Sequence, residues 1–91
     1  MANNKEKKSQ TLKIQRVVRY FQKDGDKLLG EIPLDNVELL LLQKLFGESQ
    51  DNPMYDCYPI KTSHQIEYLE KITQSNLDTQ SYDYFLECHA V

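Results

Sequence analysis

The stretch Asp51–Ile60, near the middle of the chain, constrains the fold most strongly. It reads DNPMYDCYPI and holds two prolines, two tyrosines, two aspartates and a cysteine. Residues 54–60 predict a short strand, and Pro59 places that strand at a sheet edge or near its own end, because proline cannot donate to a ladder. Helix patterns flank the stretch on both sides. It therefore connects two halves of one domain.

The N-terminal half predicts a β-hairpin behind a disordered basic tail. Residues 1–10 are polar and lack periodicity, which is typical of an unpacked terminus. Residues 12–21 are rich in β-branched and aromatic side chains and predict a strand. Asp24-Gly25 predicts a two-residue turn, and the return strand, 27–32, should end at Pro33. Alternation in this hairpin is imperfect. It groups Val17 and Phe21 with Leu28 and Ile32 on one face, and Val18, Tyr20 and Leu29 on the other.

A leucine-rich helix is predicted next. Asp35 is the expected N-cap and Glu38 its capping-box partner, with Leu34 as a hydrophobic staple. The helix should run to Phe46 and stop at Gly47. Its expected core arc comprises Val37, Leu39, Leu41, Leu42, Leu45 and Phe46. Its expected solvent side comprises Asn36, Gln43 and Lys44, with Leu40 exposed among them.

The C-terminal half predicts a second helix and a last strand. Thr62 and Gln65 form a possible capping box, and the helix should end near Gln74. The apolar stripe of this helix comprises Ile66, Tyr68, Leu69 and Ile72. Residues 81–91 predict a strand with Tyr82, Tyr84, Leu86, Cys88 and Ala90 on one face, and Asp83, Phe85, Glu87, His89 and Val91 on the other.

The predicted order is therefore β-β-α-β-α-β within a single domain spanning residues 11–91. Both apolar helix stripes would be buried together if the two helices covered one face of a four-stranded sheet. That arrangement is a two-layer α+β sandwich.

Charge and composition narrow the class of protein. The net charge of −3 divides into +5 over residues 1–27 (eight Lys/Arg against three acids) and −8 over residues 28–91 (three against eleven). An acidic body disfavours nucleic-acid binding, which needs clustered Lys and Arg. No apolar run approaches the roughly 20 residues of a membrane span. Two cysteines do not make a disulfide framework, and we expect a cytoplasmic protein.

The residues with catalytic or metal-binding potential do not form a known pattern. Cys57, His64, Cys88 and His89 lack zinc-ligand spacing, so we expect neither metal nor cofactor. We expect both cysteines to be small buried apolar groups and His64 to be solvated. Asp56 and Asp83 could approach each other on neighbouring strands, but capping or solvation explains them more simply. We do not expect an enzyme.

The surface offers a more specific hypothesis. Acidic and tyrosine residues alternate through the second half of the chain, a composition typical of a surface that meets a basic protein. The candidate partner-binding residues are Tyr55, Asp56, Tyr58, Asp83, Phe85 and Glu87. Tyrosines packed in the core are the competing interpretation.

Four segments together resemble a family of small bacterial proteins that carry a domain of unknown function: 30–34 (GEIPL), 45–47 (LFG), 51–59 (DNPMYDCYP) and 82–88 (YDYFLEC). The resemblance covers residues 12–91 and implies no activity or site residue. A small, acidic, single-domain protein is also similar in type to toxin-neutralising immunity proteins.

Three functions therefore remain open from the sequence. The first is a non-enzymatic domain that docks a basic protein partner, of which an immunity-type inhibitor is one version. The second is a small enzyme or ligand-binding domain with a site around Asp56, Cys57 and the Tyr82–Glu87 strand. The third is a homodimeric structural subunit.

Overall fold

The computed structural model describes residues 13–91, so the predicted basic tail, 1–10, lies outside the described residues. The elements follow the predicted order β-β-α-β-α-β. They are β1 (Ile14–Gln22), β2 (Leu28–Leu34), α1 (Leu39–Phe46), β3 (Tyr58–Pro59), α2 (Ser63–Thr73) and β4 (Tyr82–Ala90).

The four strands form one open antiparallel sheet in the order β2-β1-β4-β3. The long strands β1 and β4 lie at its centre and pair along their whole lengths, from Ile14 opposite Ala90 to Gln22 opposite Tyr82. Strands β2 and β3 are the outer edges. The hairpin loop therefore lies at the Tyr82 end of β4, and the chain enters the sheet at the Ala90 end.

Both helices pack against one face of this sheet, as predicted. Leu42 of α1 and Leu69 of α2 are fully buried against Val18 of β1 and Leu86 of β4. The buried cluster comprises Val18, Leu34, Leu42, Met54, Ile60, Leu69, Leu77, Tyr84 and Leu86. The other face, which carries the odd-numbered residues of β1 and β4, is called here the helix-free face.

Tyrosines complete the core at the hairpin end of the sheet. The Tyr20 ring centroid lies 5.7 Å from that of Tyr82 and 5.4 Å from that of Tyr84. The Tyr84 hydroxyl accepts a hydrogen bond from the Asp78 amide at 3.0 Å. Burial raises the pKa of Tyr84, because a phenolate would lose its hydration there. These three rings therefore contribute to core packing.

A β-bulge explains the imperfect alternation of the hairpin. Tyr20 pairs with Gly30 but the next residue, Phe21, pairs with Leu28, so Leu29 is the extra residue. A bulge of this kind shifts the face on which later side chains lie. Ile32 consequently faces the helices with Val18, and its predicted grouping with Val17 was wrong. Leu28 and Phe21 remain paired, as predicted.

The hairpin loop also differs from the predicted two-residue turn. Five residues, 23–27, connect the strands, and the Gln22 amide donates to the Lys27 carbonyl at 3.0 Å to close them. Only Asp24 adopts a positive φ, of 58°. Strand β2 also continues through Pro33 to Leu34. Pro33 is tolerated because β2 is an edge strand.

Helix α1 begins later than predicted. Asn36 has a φ of 60°, which breaks helical geometry before a helix can start at Asp35. The N-cap is Glu38, without a side-chain capping bond. The predicted Asp35 cap was therefore wrong, and Leu34 is the buried end of β2 and not a staple. The predicted stop at Gly47 is confirmed, with a left-handed φ of 68°.

The predicted faces of α1 were correct at Leu42 and Leu40 but wrong at two other positions. Leu42 is fully buried and Leu40 is 44% exposed. Leu41, expected in the core, is 42% exposed, and Gln43, expected in solvent, is 3% exposed. The buried stripe therefore runs through Leu42 and Gln43. The loop that follows α1 supplies the polar partners of Gln43.

The second half matches its prediction more closely. Thr62 and Gln65 form the capping box of α2, and Gln74 caps its C-terminus in the left-handed conformation. Strand β3, however, contains only two of the residues predicted for it. Met54 has a φ of 56°, incompatible with a strand, and its side chain is 1% exposed in the core.

Candidate functional site

The segment 47–57, called here the acidic loop, connects α1 to β3 and carries Glu48, Asp51 and Asp56. No lysine or arginine occurs between residues 45 and 60. The acidic loop thus carries three acids and no basic residue of its own.

Helix α1 holds the first half of the acidic loop through Gln43. The Gln43 side-chain amide donates to the Asn52 carbonyl at 2.6 Å and to the Gln50 carbonyl at 3.2 Å. Ser49 adds two local bonds, since its carbonyl accepts from the Asn52 amide and its hydroxyl from the Asp51 amide, at 3.1 and 3.0 Å. Backbone carbonyls that would otherwise be unpaired are thereby satisfied.

Asn52 organises the second half of the acidic loop. Its side-chain nitrogen lies 2.7 Å from a Glu48 carboxylate oxygen and 3.0 Å from the Tyr58 hydroxyl, and its side-chain oxygen accepts from the Met54 amide at 2.8 Å. The last bond closes a turn that holds Met54 in its left-handed conformation. The Met54 side chain then anchors the loop in the core.

Strand β1 adds a charged contact to the acidic loop. The guanidinium of Arg16 donates to the Pro53 carbonyl at 2.7 Å. Charge-assisted bonds of this kind are shorter and stronger than neutral ones. The acidic loop is therefore fixed from α1, from β1 and through its own asparagine.

This anchoring leaves Tyr55 and two acids on the outside. Tyr55 is 50% exposed, and Asp51 and Asp56 are exposed. Within residues 13–91, neither of these two aspartates takes part in an ion pair. The ring and both carboxylates are consequently accessible to another molecule.

Tyr58, the other candidate tyrosine, is oriented toward the core. Its ring centroid lies 5.9 Å from that of Phe46 on α1, and its hydroxyl is occupied by Asn52. It is half-buried against the core cluster. Tyr58 thus supports the acidic loop from beneath, while Tyr55 is presented outward.

The three candidates on β4 lie together on the helix-free face. Phe85 packs edge-on against Phe21 with ring centroids 5.6 Å apart. Asp83 pairs with Lys23 at 3.2 Å. Glu87 lies 3.4 Å from Arg19, so Asp83 and Glu87 each form an ion pair with a basic residue of the same chain. Both carboxylates are therefore already engaged in ion pairs within the fold.

Arg19 links two carboxylates across three strands of this face. Besides Glu87, it binds Glu31 of β2 at 3.0 Å. Its side chain is 29% exposed and that of Glu87 only 18%. Val17, two residues before Arg19 on the same face, is 2% exposed. Two carboxylates of the helix-free face therefore share one guanidinium, and Val17 beside them is shielded from solvent.

Cys57 lies beside Glu87 and is exposed, so its predicted burial was wrong; Cys88 is half-buried. The Cys57 thiol donates to a Glu87 carboxylate oxygen at 3.6 Å. Partial burial of the sulfur, followed by the Glu87 charge, raises the pKa of Cys57, because both disfavour a thiolate. A protonated thiol is a weak nucleophile.

Within residues 13–91, surface cavities lie at both ends of the sheet. One, of about 600 Å³, is open at the hairpin end and lies beside Lys23, Lys61 and Asp83. The other, of about 230 Å³, lies beside Arg16 and Asp35. Neither is lined by Cys57 or by a histidine. Cys57 therefore lies outside both of these cavities.

The remaining potential ligands are dispersed. His64 is exposed at the start of α2, as expected. Asp56 lies at the Cys57 end of β3, whereas Asp83 lies at the hairpin end of β4 beside Lys23. Within residues 13–91, no three His, Cys, Asp or Glu side chains are grouped so as to hold a metal ion. No helix in this part of the chain is long and apolar enough to cross a bilayer.

Sequence reasoning missed the residues that build the acidic loop. Gln43, Asn52 and Arg16 were not candidates, although each makes a bond that fixes the loop. Asn52 did carry a signal, since Asn-Pro favours a turn. Nothing local marks Gln43 or Arg16, whose partners lie 9 and 37 residues away.

Comparison with known proteins identifies the family but no activity. A family model described as a domain of unknown function, DUF7683, matches residues 15–87. No curated protein and no solved structure matches the chain significantly. The match covers most of the sequence and includes every strand and helix in whole or in part. The chain therefore belongs to the DUF7683 family of domains of unknown function.

Proposed function

We propose that this protein is a non-enzymatic binding domain whose acidic loop docks a basic segment of a protein partner. One observation carries the proposal. Tyr55 is half exposed between two unpaired carboxylates, Asp51 and Asp56, on a loop that its neighbours hold in place.

The anchoring of the loop favours binding energetically. When a mobile loop binds a partner, each side chain that becomes immobilised costs about 0.5–1.5 kcal/mol of binding free energy. A loop that is already fixed avoids much of that cost. Gln43, Asn52 and Arg16 fix the backbone of the acidic loop before any partner arrives. The partner would then need to immobilise little more than the Tyr55 ring.

The chemistry of the exposed groups suits a basic partner. A tyrosine contributes large contact area with few rotatable bonds, which is why tyrosine is enriched among residues that dominate binding energy. Free carboxylates attract lysine and arginine over about 10 Å at moderate salt. Asp51 and Asp56 would steer the encounter, and Tyr55 would hold the complex.

The β4 candidates have a secondary place in this proposal. Asp83 and Glu87 already bind Lys23 and Arg19, so a partner would have to compete for them. Phe85 and Tyr58 are in contact with Phe21 and Phe46. These four residues would support or border the interface, as rim positions do. An immunity-type inhibitor that masks a basic toxin is one form that such a domain can take.

Cys57 supports a binding role over the enzyme alternative. Burial and the Glu87 carboxylate together raise the pKa of the Cys57 thiol despite the opposing charge of Arg19, whereas a cysteine nucleophile needs its thiolate to be favoured. The position of Glu87 is thus unfavourable for thiolate chemistry.

The experiment is a partner capture from the native host, followed by kinetics with the purified partner. Tyr55→Ala should speed dissociation, because it removes the anchoring ring. Asp51→Lys and Asp56→Lys should slow association, most strongly at low salt. All three variants should melt like the wild type, since exposed groups contribute little to stability.

Matched controls lie at the other end of the sheet. Leu29→Ala removes an exposed apolar side chain of similar accessibility, and Asp26→Lys reverses an exposed acid in the hairpin loop. Neither should alter the kinetics. Unchanged association and dissociation rates for the acidic-loop variants, with wild-type melts, would refute the proposal.

A further inference from the structure

Strand β4 extends well beyond its neighbour β3. It spans nine residues, but β3 pairs only with Leu86 and Phe85, through Tyr58 and Pro59. The segment Glu87–Ala90 therefore has β1 on one side and, among the described residues, no strand on the other.

Two hydrogen bonds show which backbone groups of β4 face the open side. The Ile60 amide donates to the Tyr84 carbonyl at 2.9 Å, so Tyr84 faces β3. The Val91 amide donates to the Lys13 carbonyl at 3.0 Å, so Val91 faces β1. Backbone groups of successive residues alternate in direction along an antiparallel strand. Cys88 and Ala90 consequently face the open side, where no hydrogen bond joins their backbone groups to any of residues 13–91.

The outer edges of the sheet carry prolines at outward-facing positions. The backbone groups of Val17 face β4, as those of Lys13 do. Pro33 of β2 lies opposite Val17, so its backbone nitrogen points away from the sheet. Pro59 lies between Tyr58 and Ile60, which face β4, and its nitrogen also points outward. Proline offers no donor, and natural sheets use it to block edges. The open segment Cys88–Ala90 has no proline.

We infer that Cys88–Ala90 accepts an extended, lysine- or arginine-bearing segment of the partner as an added strand in line with β3. The inference rests on the proposed function and names how that partner docks. Backbone N–H and C=O groups exposed at a sheet edge can form hydrogen bonds with the backbone of an extended segment from another chain, as in β-strand addition generally. Positive side chains follow from the neighbouring acidic loop, which joins β3 at Cys57 and carries Glu48, Asp51 and Asp56, with no lysine or arginine between residues 45 and 60.

The probe is an acetylated, amidated hexapeptide of alternating lysine and valine, titrated into the full chain labelled with ¹⁵N. The Cys88 and Ala90 amides should shift saturably and become protected from hydrogen exchange. The same peptide with every backbone amide N-methylated keeps its charge and side chains but lacks ladder donors. It should bind roughly tenfold more weakly or worse.

Variants of the chain test the edge independently. Ala90→Pro removes an outward-facing amide that the fold does not use and should weaken peptide binding by roughly tenfold. Ala90→Val retains the amide and should bind like the wild type. Both should melt like the wild type, and the Cys88 shift reports binding in either variant. Peptide affinity unchanged by N-methylation and by Ala90→Pro would overturn the inference, as would no binding at millimolar peptide.

Failure of this inference is distinguishable from failure of the proposed function. Tyr55→Ala and Asp56→Lys weaken capture of the native partner if the acidic loop docks it, whatever happens at Ala90. If Tyr55→Ala and Asp56→Lys weaken partner capture but Ala90→Pro does not, the proposed docking by the acidic loop stands and the inference of an added strand is overturned. Concentration-dependent shifts of Cys88 and Ala90 without peptide, together with a dimer in sedimentation, would assign the edge to a second copy and also overturn it.

Discussion

Replacing Gln43 should both destabilise the domain and release the acidic loop. The side chain is 3% exposed and donates to the carbonyls of Asn52 and Gln50, at 2.6 and 3.2 Å. In Gln43→Ala both bonds are lost. A net loss of about 1 kcal/mol for each of the two bonds, plus about 1–3 kcal/mol for a partly buried carbonyl left unpaired, amounts to about 3–5 kcal/mol of unfolding free energy.

Urea unfolding measures that loss directly, and a thermal melt should fall by about 10 °C or more for a domain of this size. Gln43→Glu preserves the shape but replaces the donor with a carboxyl group, so it should be at least as damaging as the alanine variant. Lys44→Ala, at the neighbouring exposed position, is the control and should change stability by less than about 0.5 kcal/mol.

The release of the loop has its own readout. Exchange of the Met54 amide, which donates to the Asn52 side-chain oxygen, should accelerate in Gln43→Ala under conditions where the core of β4 remains protected, because local opening then precedes global unfolding. A loss of stability below about 0.5 kcal/mol in Gln43→Ala, or unchanged exchange of the Met54 amide, would refute the view that α1 holds the loop through this side chain.

Three other predictions concern the core, the hairpin and the thiol. Leu42→Ala should cost about 2–5 kcal/mol in urea unfolding and Leu40→Ala far less, because only Leu42 is fully buried; equal losses would contradict the helix phase. Gly30→Ala should cost about 1–3 kcal/mol, because its Cβ would lie 2.6 Å from the hydroxyl of a tyrosine packed between two other rings, and a wild-type melt would contradict that contact. Glu87→Gln should speed alkylation of Cys57 at pH 8, measured by peptide mapping, because removing the carboxylate lowers the raised thiol pKa and increases the thiolate fraction; an unchanged rate would contradict the contribution of Glu87.

Local signals in the sequence determined the element order and the layer arrangement. Thr62 and Gln65 marked the start of α2, and Gly47 marked the end of α1, because capping depends on residues close in sequence. The alternation after Ser81 correctly separated the buried Tyr84 and Leu86 from the residues on the other face. With two apolar helix stripes to bury, these patterns led to a two-layer α+β domain.

Tertiary contacts decided where α1 and β3 begin and which residues of α1 face inward. The Asp35–Glu38 spacing suits a capping box, yet Leu34 belongs to β2 and Asn36 turns the chain before the helix starts. Gln43 is buried because loop carbonyls seven and nine residues away satisfy its amide. Met54 leaves the strand conformation because its side chain fills the core.

The candidate binding residues divide on the same physical basis. Composition alone marked Tyr55, Tyr58 and the β4 acids as equivalent, since a tyrosine or an aspartate has the same surface chemistry wherever it lies. Only the fold turns Tyr58 onto Phe46 and leaves Tyr55 exposed, and only strand pairing brings Arg19 to Glu87. Exposure and charge pairing depend on residues distant in sequence, so they are determined by the packing of the whole chain.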